Sequence, residues 1–484
     1  MRRFRPSSGS PILLVSALSG LLLGLCGLPL AWSLLTPLPL AALLWLAASA
    51  PTPRQVAGRL FWGMGVYFAV QLWWLTDFMA ELTRLPWGGL FVLPLFAIEG
   101  GFFALLGWLA ARPFSEPLAR VWALAGGWVL LEWLRTLGPL AFPWSGLGYT
   151  LLPAPISQSA DLWGTLGLSL VVTLTAASLV SLALRRFTAP LLTLLLWVGG
   201  SVYGLTRSHA DGPQGQALLV RSDFDSFGRA SGSLSFEQQF QTLLALSKAR
   251  RPGELNVWSE TAIINAPDLF RAPAPGLYGV YQNGGNTAQS WDGKAPGRVS
   301  YTKLKPVPFG EFFPFSEALR PVYALIFRLL GIPNFDPPPS GTQTKPLLLN
   351  AVSYGTYICY DSIFAWVPRQ MVLQGAQLLV NVSNDGWYRG WGVRQHFQMG
   401  RMRAIETRRW LIRSVNKGIL GVVDDLGRPV QTLDHGEGVL HARYRLLSGQ
   451  SVYLRVGDLP ALLLALGTLI PALRAQRRRR RELL

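Results

Sequence analysis

Seven apolar runs follow one another over the first 207 residues of the chain, and an eighth lies near its end. Each run approaches the roughly 20 residues that an α-helix needs to cross a bilayer. We place the runs at residues 11–28, 30–49, 58–77, 88–111, 118–136, 163–184, 188–206 and 457–473. The first run lacks a clear small-residue cleavage site and is followed at once by others, so it is not read as a signal peptide. The pattern predicts a polytopic α-helical membrane domain of about eight spans.

The composition agrees with a membrane protein, because half of the 484 residues are hydrophobic and only 14% are charged. The formal charge of +18 comes almost entirely from arginine. A nucleic-acid-binding protein gathers such charge on a soluble face, whereas many of these arginines flank apolar runs. The charge therefore indicates membrane topology and no nucleic-acid partner. The two cysteines, Cys26 and Cys359, provide no disulfide framework, because Cys26 lies inside an apolar run.

The arginines also predict the orientation of the spans. They are concentrated before the first run, in alternate loops and after the last run: Arg2, Arg3, Arg5, Arg54, Arg59, Arg112, Arg120, Arg185, Arg186, Arg474 and Arg477 to Arg481. Because cytoplasmic loops carry the excess of basic residues, both termini are expected in the cytoplasm. We therefore expect a seven-span domain at residues 1–207, an external domain at 208–456, and a last span with a basic cytoplasmic tail at 457–484.

Residues 208–456 have a different pattern, in which short apolar runs alternate with polar and turn-forming segments. The strand-like runs are QALLV, LNVWS, RVSYTKLKPV, LLLNAVSYGTYICY, AQLLVNVS, LIRSVNKGILGVV and VLHARYRL. Helical patterns lie between them near 234–250, 316–330, 363–375 and 394–410. Strands that alternate with helices predict an α/β domain with helix-covered sheets.

Three motifs with reactive side chains lie at the ends of predicted strands of this domain: VWSETAI with Glu260, YTKLKPVPFGEFFPF with Lys303 and YICYDSIF with Cys359. Sites gather at strand ends in α/β folds, because the loops there converge on one edge. Taken singly, each has a simpler interpretation. Glu260 could be a turn residue, Lys303 a surface lysine and Cys359 a small core residue. A cysteine nucleophile needs a base. The four histidines stand in no obvious catalytic motif: His209, His396, His435 and His441.

In this order and with these surroundings, the three residues resemble the Glu-Lys-Cys triad of the nitrilase superfamily. Together with the spans, they are similar to the apolipoprotein N-acyltransferase family, which carries a nitrilase-like domain between its penultimate and last spans. VPFGEFFPF is close to the family's VPFGE signature, and NVSNDGWY, RMRAIETRR and RSVNKG match its later blocks in order. EWLR and FPWSGLGY match its membrane part. The resemblance covers nearly the whole chain and implies an extracytoplasmic αββα sandwich at residues 208–456.

The resemblance implies a role for each residue of the site. Cys359 is the nucleophile, Glu260 its base, and Lys303 the positive charge that favours thiolate and oxyanion. The backbone N–H of Tyr360 is the second oxyanion donor, and Glu311 orients or balances Lys303. Partial burial of Glu260 would raise its pKa and improve its match to a thiol.

The implied reaction moves an acyl chain from a membrane phospholipid to the cysteine as a thioester. The N-terminal amine of a diacylglyceryl-modified apolipoprotein then takes the acyl chain, which completes lipoprotein maturation. No cofactor or metal is expected. The implied location is the bacterial cytoplasmic (inner) membrane, with the catalytic domain on the extracytoplasmic or periplasmic side.

Several positions depart from the family pattern. Asp361 stands where the family usually has the glutamate of CYE, so its side chain is one methylene shorter. VRSDFDSFGRAS replaces the usual VQxN segment with its lysine–tryptophan pair, and Lys417 stands in NKG where NNG is usual. The stretch between Glu260 and Lys303 is also short. These departures leave the triad in place, and they bear on substrate preference and on activity.

Two aromatic segments are candidates for contact with lipid substrates. Residues 312–335, which begin with Phe312 and Phe313, follow the lysine motif and form either a membrane-facing arm or a core helix. GWYRGW, with Trp387 and Trp391, forms either a lid with flexible glycines or a packed surface turn.

Glu132 and Arg135 lie near the outer end of the fifth run. Their spacing allows them to pair on one helix face, and headgroup contact by Arg135 is the alternative.

Two other functions compete with acyl transfer. A membrane-anchored amidase or nitrilase acting on a small carbon–nitrogen substrate would use the same triad with water as the acceptor. The membrane motifs and the apolar arm argue against it. A non-enzymatic transporter or receptor with an inactive external domain predicts inverted repeats or broken helices in the spans, and the sequence shows no such pattern.

Overall fold

The computed structural model describes residues 10–230, 234–330 and 338–483. Helices make up its first part, in agreement with the predicted membrane domain. Eight α-helices of the described chain precede the first strand: α1 (Ser10–Gly27), α2 (Pro37–Ala48), α3 (Pro53–Gln71), α4 (Trp74–Thr83), α5 (Leu93–Ala111), α6 (Pro117–Leu134), α7 (Ala160–Ala183) and α8 (Thr188–Leu205).

All eight expected apolar runs are helical, but they differ in their capacity to span a membrane. Five segments of the described chain are long and apolar enough by length and composition: Ala31–Ala48, Gly88–Ala111, Pro155–Ala183, Thr188–Leu205 and Leu459–Arg481. The helix α1 is shorter, while α3 and α6 carry charged residues such as Arg59 and Glu132. The third run also ends earlier than expected, because α4 begins a separate helix at Trp74.

A buried ion pair joins two helices of this part. Arg135 Nε lies 2.8 Å from Glu99 Oε2, and both side chains are buried. Glu132 instead accepts hydrogen bonds from the Trp128 indole and from the backbone N–H of Leu147, each at 3.0 Å. The expected pairing of Glu132 with Arg135 is therefore wrong, because a partner on α5 lies closer than the neighbour on the same helix.

The inserted domain contains the strands and the remaining large helices. The strands are β1 (Gln214–Ser222), β2 (Leu255–Val257), β3 (Gly276–Gln282), β4 (Gly285–Trp291), β5 (Pro296–Thr302), β6 (Leu347–Leu349), β7 (Val352–Ile358), β8 (Leu378–Asn384), β9 (Leu411–Asn416), β10 (Leu420–Val423), β11 (Pro429–Leu433) and β12 (Gly438–Arg445). The helices between them are α9 (Ser226–Ala230), α10 (Phe236–Ser247), α11 (Arg320–Leu330), α12 (Trp366–Leu373) and α13 (Trp391–Thr407). Three more helices follow: α14 (Val452–Val456), α15 (Leu459–Gly467) and α16 (Leu469–Leu483).

The strands form one hydrogen-bonded path in the order β5-β4-β3-β2-β1-β9-β8-β7-β6. β12 joins beside β1, and β10 with β11 joins beside β9. The two ends of the path meet, because β4 and β5 contact β6 and β7 and the Ser290 hydroxyl donates to the Leu348 carbonyl at 3.0 Å. The helix α10 packs on β1, α12 on β7 and α13 on β9. Two strand layers with helices outside agree with the expected nitrilase-like sandwich.

Two hairpins differ from the sequence expectation. LLLNAVSYGTYICY forms two antiparallel strands, β6 and β7, which turn at Asn350 and Ala351 with φ of 50° and 63°. β3 and β4 match none of the predicted strands, and they turn at Asn283 and Gly284 with φ of 52° and 79°. Asn-Gly favours a tight hairpin turn, so this dipeptide is the sequence signal for the second pair.

Candidate active site

The candidate side chains follow strands whose carboxyl ends lie on one edge of the sheet. β2, β1, β9, β8 and β7 pair in parallel, and β5 shares their direction because two antiparallel steps separate it from β3. Glu260 follows β2, Lys303 follows β5, and Cys359 follows β7. The topology therefore directs residues distant in sequence toward one place.

The Lys303 ammonium lies between two carboxylates. Its Nζ is 3.1 Å from Glu260 Oε1 and 2.7 Å from Glu311 Oε1. The side-chain amide of Asn286 donates to Glu260 Oε1 at 2.9 Å, and the backbone N–H of Asn384 donates to Glu260 Oε2 at 3.0 Å. The structure thus brings Glu260, Lys303 and Glu311 together and fixes the Glu260 carboxylate on both oxygens.

Burial controls the charge states of this group. Desolvation raises the pKa of the Glu260 carboxyl, an effect that Lys303 opposes and Glu311 reinforces. For Lys303, burial alone acts to lower the pKa, but attraction to Glu260, Glu311 and Cys359 outweighs it and holds the pKa well above its ordinary value. The lysine therefore supplies a fixed positive charge at neutral pH.

Cys359 occupies the turn between β7 and a 3-10 helix at Cys359–Ile363, with φ of 46°. A positive φ is uncommon for a residue other than glycine, and such positions cluster at functional sites. Burial raises the pKa of the thiol to about 12, with Glu260 adding to this effect and Lys303 opposing it. The thiol is therefore protonated at neutral pH in this arrangement, and nucleophilic attack requires a base.

Asp361 joins the nucleophile turn to the segment that carries Lys303. Its Oδ2 accepts a hydrogen bond from Tyr301 Oη at 2.7 Å, and its Oδ1 accepts from the backbone N–H of Lys305 at 2.8 Å. The backbone N–H of Ile358 also donates to Oδ2, at 3.3 Å. Burial raises the pKa of Asp361 to about 6, although the Tyr301 hydrogen bond and Lys303 oppose this shift. The aspartate therefore reaches both strand ends despite its shorter side chain.

Tyr360 follows the nucleophile and reaches toward the membrane part. Its buried hydroxyl donates to the carbonyl of Ala141 at 3.1 Å. Its ring stacks against Phe142, with the centroids 6.2 Å apart. The side chain therefore anchors the nucleophile turn to the loop between α6 and α7.

A buried polar network, which the sequence does not predict, contacts the backbone of Cys359. His396 on α13 has Nδ1 2.9 Å from Asp385 Oδ1 and Nε2 3.1 Å from the carbonyl oxygen of Cys359. Arg413 on β9 donates to both Asp385 oxygens at 2.8 and 2.7 Å. Although burial acts to raise the pKa of Asp385, the Arg413 guanidinium and His396 hold it at about 2. Burial lowers the pKa of His396.

Aromatic residues of the membrane part contact the same site. Tyr388 Oη lies 3.6 Å from Cys359 Sγ. The Tyr388 ring packs edge-on against Trp74 of α4 and Trp144 of the α6–α7 loop, at centroid distances of 5.0 and 5.6 Å. The Trp144 indole donates to Gln395 on α13 at 2.8 Å. Both parts of the molecule therefore build the surroundings of the thiol.

Only part of the expected arm is packed against other apolar side chains. Phe313 packs against Tyr323 and Phe327 of α11, with centroids 5.0 and 4.7 Å apart. Phe312 lines a cavity of about 330 Å³ between the α6–α7 loop and the segment after β5. Residues 331–335 of the expected arm lie outside the described residues.

The GWYRGW segment contacts the membrane part. Trp387 is half-buried and packs edge-on against Phe78 of α4 and Phe227 of α9, with centroids 6.3 and 5.0 Å apart. Trp391 is half-buried at the start of α13, where the Arg394 guanidinium lies 5.6 Å from its ring centroid. Trp387 and Tyr388 therefore place this segment between α4 and the nucleophile.

A second group of ligand-type side chains lies elsewhere. His209, Asp424 and Asp425 place three potential metal-ligand atoms within 4.8 Å of one another. His209 Nδ1 is 2.8 Å from Asp425 Oδ1, and the backbone N–H of Arg428 donates to Asp424 at 2.8 Å. Each of the three side chains therefore already has a protein hydrogen-bond partner.

Comparison with known proteins covers both parts of the chain. A family model described as the apolipoprotein N-acyltransferase N-terminal domain matches residues 19–178. A second model, described as carbon-nitrogen hydrolase, matches residues 292–452. The second match contains Lys303, Glu311 and Cys359, and it begins after Glu260.

Relatives that match most of the chain are also named apolipoprotein N-acyltransferases. An apolipoprotein N-acyltransferase of Nitrosomonas europaea is 32% identical over 89% of this chain and 91% of its own. Another from Azotobacter vinelandii is 32% identical over 86% of each chain. A solved carbon-nitrogen hydrolase from Helicobacter pylori covers 51% of this chain and 95% of its own, at 15% identity and a TM-score of 0.36. The chain therefore belongs to the apolipoprotein N-acyltransferase family, and it is a membrane protein with acyltransferase activity.

Proposed function

We propose that the enzyme transfers an acyl chain from a membrane phospholipid, through a thioester on Cys359, to the N-terminal amine of a diacylglyceryl-modified apolipoprotein. One observation carries the proposal. The Lys303 ammonium is held between the Glu260 and Glu311 carboxylates at the strand edge that also presents a buried cysteine at positive φ. Base, fixed cation and nucleophile are the groups that acyl transfer through a thioester requires.

In the first half-reaction, Glu260 takes the proton of the Cys359 thiol as the sulfur attacks the ester carbonyl. The oxyanion of the tetrahedral intermediate accepts hydrogen bonds from the Lys303 ammonium and the backbone N–H of Tyr360. Collapse breaks the ester C–O bond, and Glu260 returns its proton to the departing oxygen. The products are a thioester and a lysophospholipid.

In the second half-reaction, the amine of the modified apolipoprotein attacks the thioester carbonyl. The same donors stabilise the second oxyanion. Glu260 accepts a proton from the attacking nitrogen and passes it to the departing Cys359 sulfur as the C–S bond breaks. The products are an N-acyl amide and the free thiol, so the enzyme returns to its starting state.

The pKa shifts support a general-base route over a preformed thiolate. Burial raises the pKa of the thiol to about 12, so a free thiolate is scarce at neutral pH. Burial also raises the pKa of Glu260, which narrows the mismatch between base and thiol. Glu311 accepts from Lys303 and from the backbone N–H of Val307 at 2.8 Å, so we assign it the role of orienting the lysine. Asp361 is assigned the role of holding the turn.

The membrane arrangement belongs to the same proposal. We assign residues 1–207 to a seven-span membrane domain, 208–456 to an extracytoplasmic catalytic domain and 457–484 to the last span with its cytoplasmic tail. Both lipid substrates are then presented at the outer face of the bacterial inner membrane. The apolar segment from Phe312 and Phe313 onward and the Trp387–Trp391 segment are assigned to substrate access. Phe312 lines the cavity between the α6–α7 loop and the segment after β5, and Tyr388 contacts Cys359.

Transfer to a defined acceptor tests the proposal. Purified enzyme in micelles is given acyl-labelled phospholipid and a peptide with an N-terminal S-diacylglyceryl-cysteine. The label is expected on the peptide amine, and a peptide with a blocked amine should receive none. Release of the label only as free fatty acid would instead favour a hydrolase with water as the acceptor.

A further inference from the structure

We propose that the hydroxyl of Tyr388 is a catalytic hydrogen-bond donor to the Cys359 sulfur, which stabilises negative charge on that atom whenever the thiolate forms. The inference rests on the proposed thioester mechanism and adds a residue to it. Tyr388 lies in the GWYRGW segment between Trp387 and Trp391, for which the sequence predicts either a lid or a packed surface turn.

Geometry is the first argument. Tyr388 Oη is 3.6 Å from Cys359 Sγ, a distance at which an O–H group can donate to the larger sulfur atom. Both side chains are buried, with exposed fractions of 9% and 2%. A hydrogen bond to a charged acceptor is strongest where water does not compete for the acceptor.

The position of the hydroxyl is fixed from several sides. The Tyr388 ring meets Trp74, Trp144 and His396 edge-on, with centroids 5.0, 5.6 and 5.3 Å away. Its backbone N–H donates to the Asp385 carbonyl at 2.9 Å. Edge-to-face geometry is a preferred arrangement of aromatic pairs and adds stabilisation beyond the area that they bury. Two of these three rings, Trp74 and Trp144, belong to the membrane part, so that part holds the Tyr388 hydroxyl in place.

The charges around the sulfur explain what the hydroxyl supplies. Glu260, Asp385 and Glu311 oppose a thiolate, while Lys303 favours it. His396 contacts the Cys359 carbonyl from α13. An O–H donor favours the charged form of its acceptor, so Tyr388 acts with Lys303 against the carboxylates. Burial and the nearby carboxylates keep the pKa of Tyr388 well above its ordinary value, so the phenol retains its proton.

The hydroxyl acts in both half-reactions without changing the proton balance. During acylation, Glu260 takes the thiol proton and the O–H group stabilises the charge that develops on Sγ. Once the C–S bond has formed, the sulfur is neutral and the hydrogen bond weakens. During transfer to the amine, negative charge develops on the departing sulfur before Glu260 has protonated it, and the O–H group stabilises that charge again. The tyrosine neither gains nor loses a proton.

Replacement of Tyr388 by phenylalanine tests the inference, because the ring remains and only the hydroxyl is lost. The variant is made in full-length enzyme with Cys26→Ala, so that Cys359 is the one thiol. Two rates are measured against pH: alkylation by iodoacetamide, and acyl-enzyme formation from labelled phospholipid. Both are expected to fall about tenfold near pH 7, and the alkylation midpoint is expected to rise by about one pH unit, because charge-assisted hydrogen bonds are among the strong ones.

Tyr357→Phe is the matched control. Tyr357 is a buried tyrosine of β7, and its hydroxyl has no hydrogen-bond partner among the described residues. We expect its pH profiles to match those of the parent. If Tyr388→Phe folds poorly, a fluorinated tyrosine at position 388 provides the second variant. Its more acidic hydroxyl should move the alkylation midpoint downward.

The outcomes separate the inference from the proposed function. Parent-like profiles for Tyr388→Phe would overturn the inference, and so would slower acyl-enzyme formation with an unchanged rate of alkylation. Absence of any thioester in the parent enzyme would overturn the proposed mechanism. In that case the alkylation profiles still decide whether Tyr388 stabilises the thiolate.

Discussion

At the scale of residues, the site depends on one cation held between two anions. The Lys303 ammonium is buried with Glu260 and Glu311, and its charge opposes the effect of burial on the Cys359 thiol. In the proposed mechanism, a lysine at this point presents a compact charge to a small oxyanion, whereas arginine is larger and planar. Removal of the charge therefore affects the thiol, the base and the oxyanion together.

We predict that Lys303→Ala lowers the rate of acyl-enzyme formation by about 10²–10³-fold, the range for loss of one oxyanion donor. Lys303→Arg should recover little of that rate. Glu311→Gln retains an acceptor for the ammonium and should cost less than either. Single-turnover labelling with acyl-labelled phospholipid measures all three, and an active Lys303→Ala would contradict the role assigned to the lysine.

Asp361 provides a second prediction at this scale. Both of its oxygens accept hydrogen bonds, from Tyr301, Lys305 and Ile358. In Asp361→Asn, an NH₂ group replaces one of the two accepting oxygens and faces hydrogen-bond donors. This substitution should reduce both acylation and thermal stability. Asp361→Glu keeps both acceptors and should remain active. A dead Asp361→Glu together with a fully active Asp361→Asn would show that the carboxylate has no such role.

The pKa of Asp361 adds a dependence of stability on pH. Its folded pKa of about 6 lies above the ordinary value of 3.8, so the folded state binds more protons between these values. The contribution of this group to stability is therefore present at low pH and is lost as pH rises through about 6. We predict that the thermal midpoint of the parent falls across this window more than that of Asp361→Asn.

At the scale of elements, α11 combines a packed face and an open face. Phe327 is 9% exposed and packs against Phe313, whereas Val322 and Leu325 are 51% and 50% exposed. Exposed apolar residues on one helix face fit contact with lipid or with an acyl chain. The exposed face of α11 therefore fits the membrane-facing arm, and its buried face fits the core helix.

We predict that Val322→Ser with Leu325→Ser slows acylation from phospholipid vesicles but leaves the thermal midpoint unchanged. Phe327→Ser is the matched control and should lower the midpoint, because it removes buried contacts. Rates with a short-chain soluble ester should be equal for the parent and the double variant. Equal rates with vesicles as well would remove the open face of α11 from substrate access.

The elements also show what the sequence can predict about the site. Glu260, Lys303 and Cys359 are selected from the sequence because they lie at the ends of strand-like runs, in an order and surroundings that resemble the Glu-Lys-Cys triad. Tyr388 and His396 escape prediction, because their contacts arise from packing of α13 and the segment before it against the membrane part. The break between α3 and α4 places Trp74 at the site. It could not be predicted, because no proline or glycine stands at the break.

At the scale of the whole molecule, hydrogen bonds join the membrane part to the inserted domain. Both parts also contribute side chains to the surroundings of Cys359. Gln395 Nε2 donates to Gln71 Oε1 at 2.8 Å, and Thr165 N–H donates to Glu406 Oε1 at 2.8 Å. Buried polar contacts of this kind fix the relative position of two parts. The same contacts hold the inserted domain against one face of the membrane part, and we propose from the arginine pattern that this face lies outside the cytoplasm.

The topology follows as a prediction for the whole chain. A reporter enzyme that is active only outside the cytoplasm should be active when fused after Gly212 or Gln450. The same reporter should be inactive when fused after Arg481. A cytoplasmic signal from the fusion at Gly212 would contradict the arrangement of seven spans followed by one.

The central claim is the covalent thioester on Cys359, and its capture is the most direct measurement. Enzyme given acyl-labelled phospholipid without an acceptor amine should accumulate label, because the buried site excludes much of the water needed for hydrolysis. Neutral hydroxylamine should release the label. Cys26→Ala should be labelled like the parent, because Cys26 lies in α1, and Cys359→Ala should not be labelled at all. A hydroxylamine-sensitive label that persists in Cys359→Ala would contradict the account.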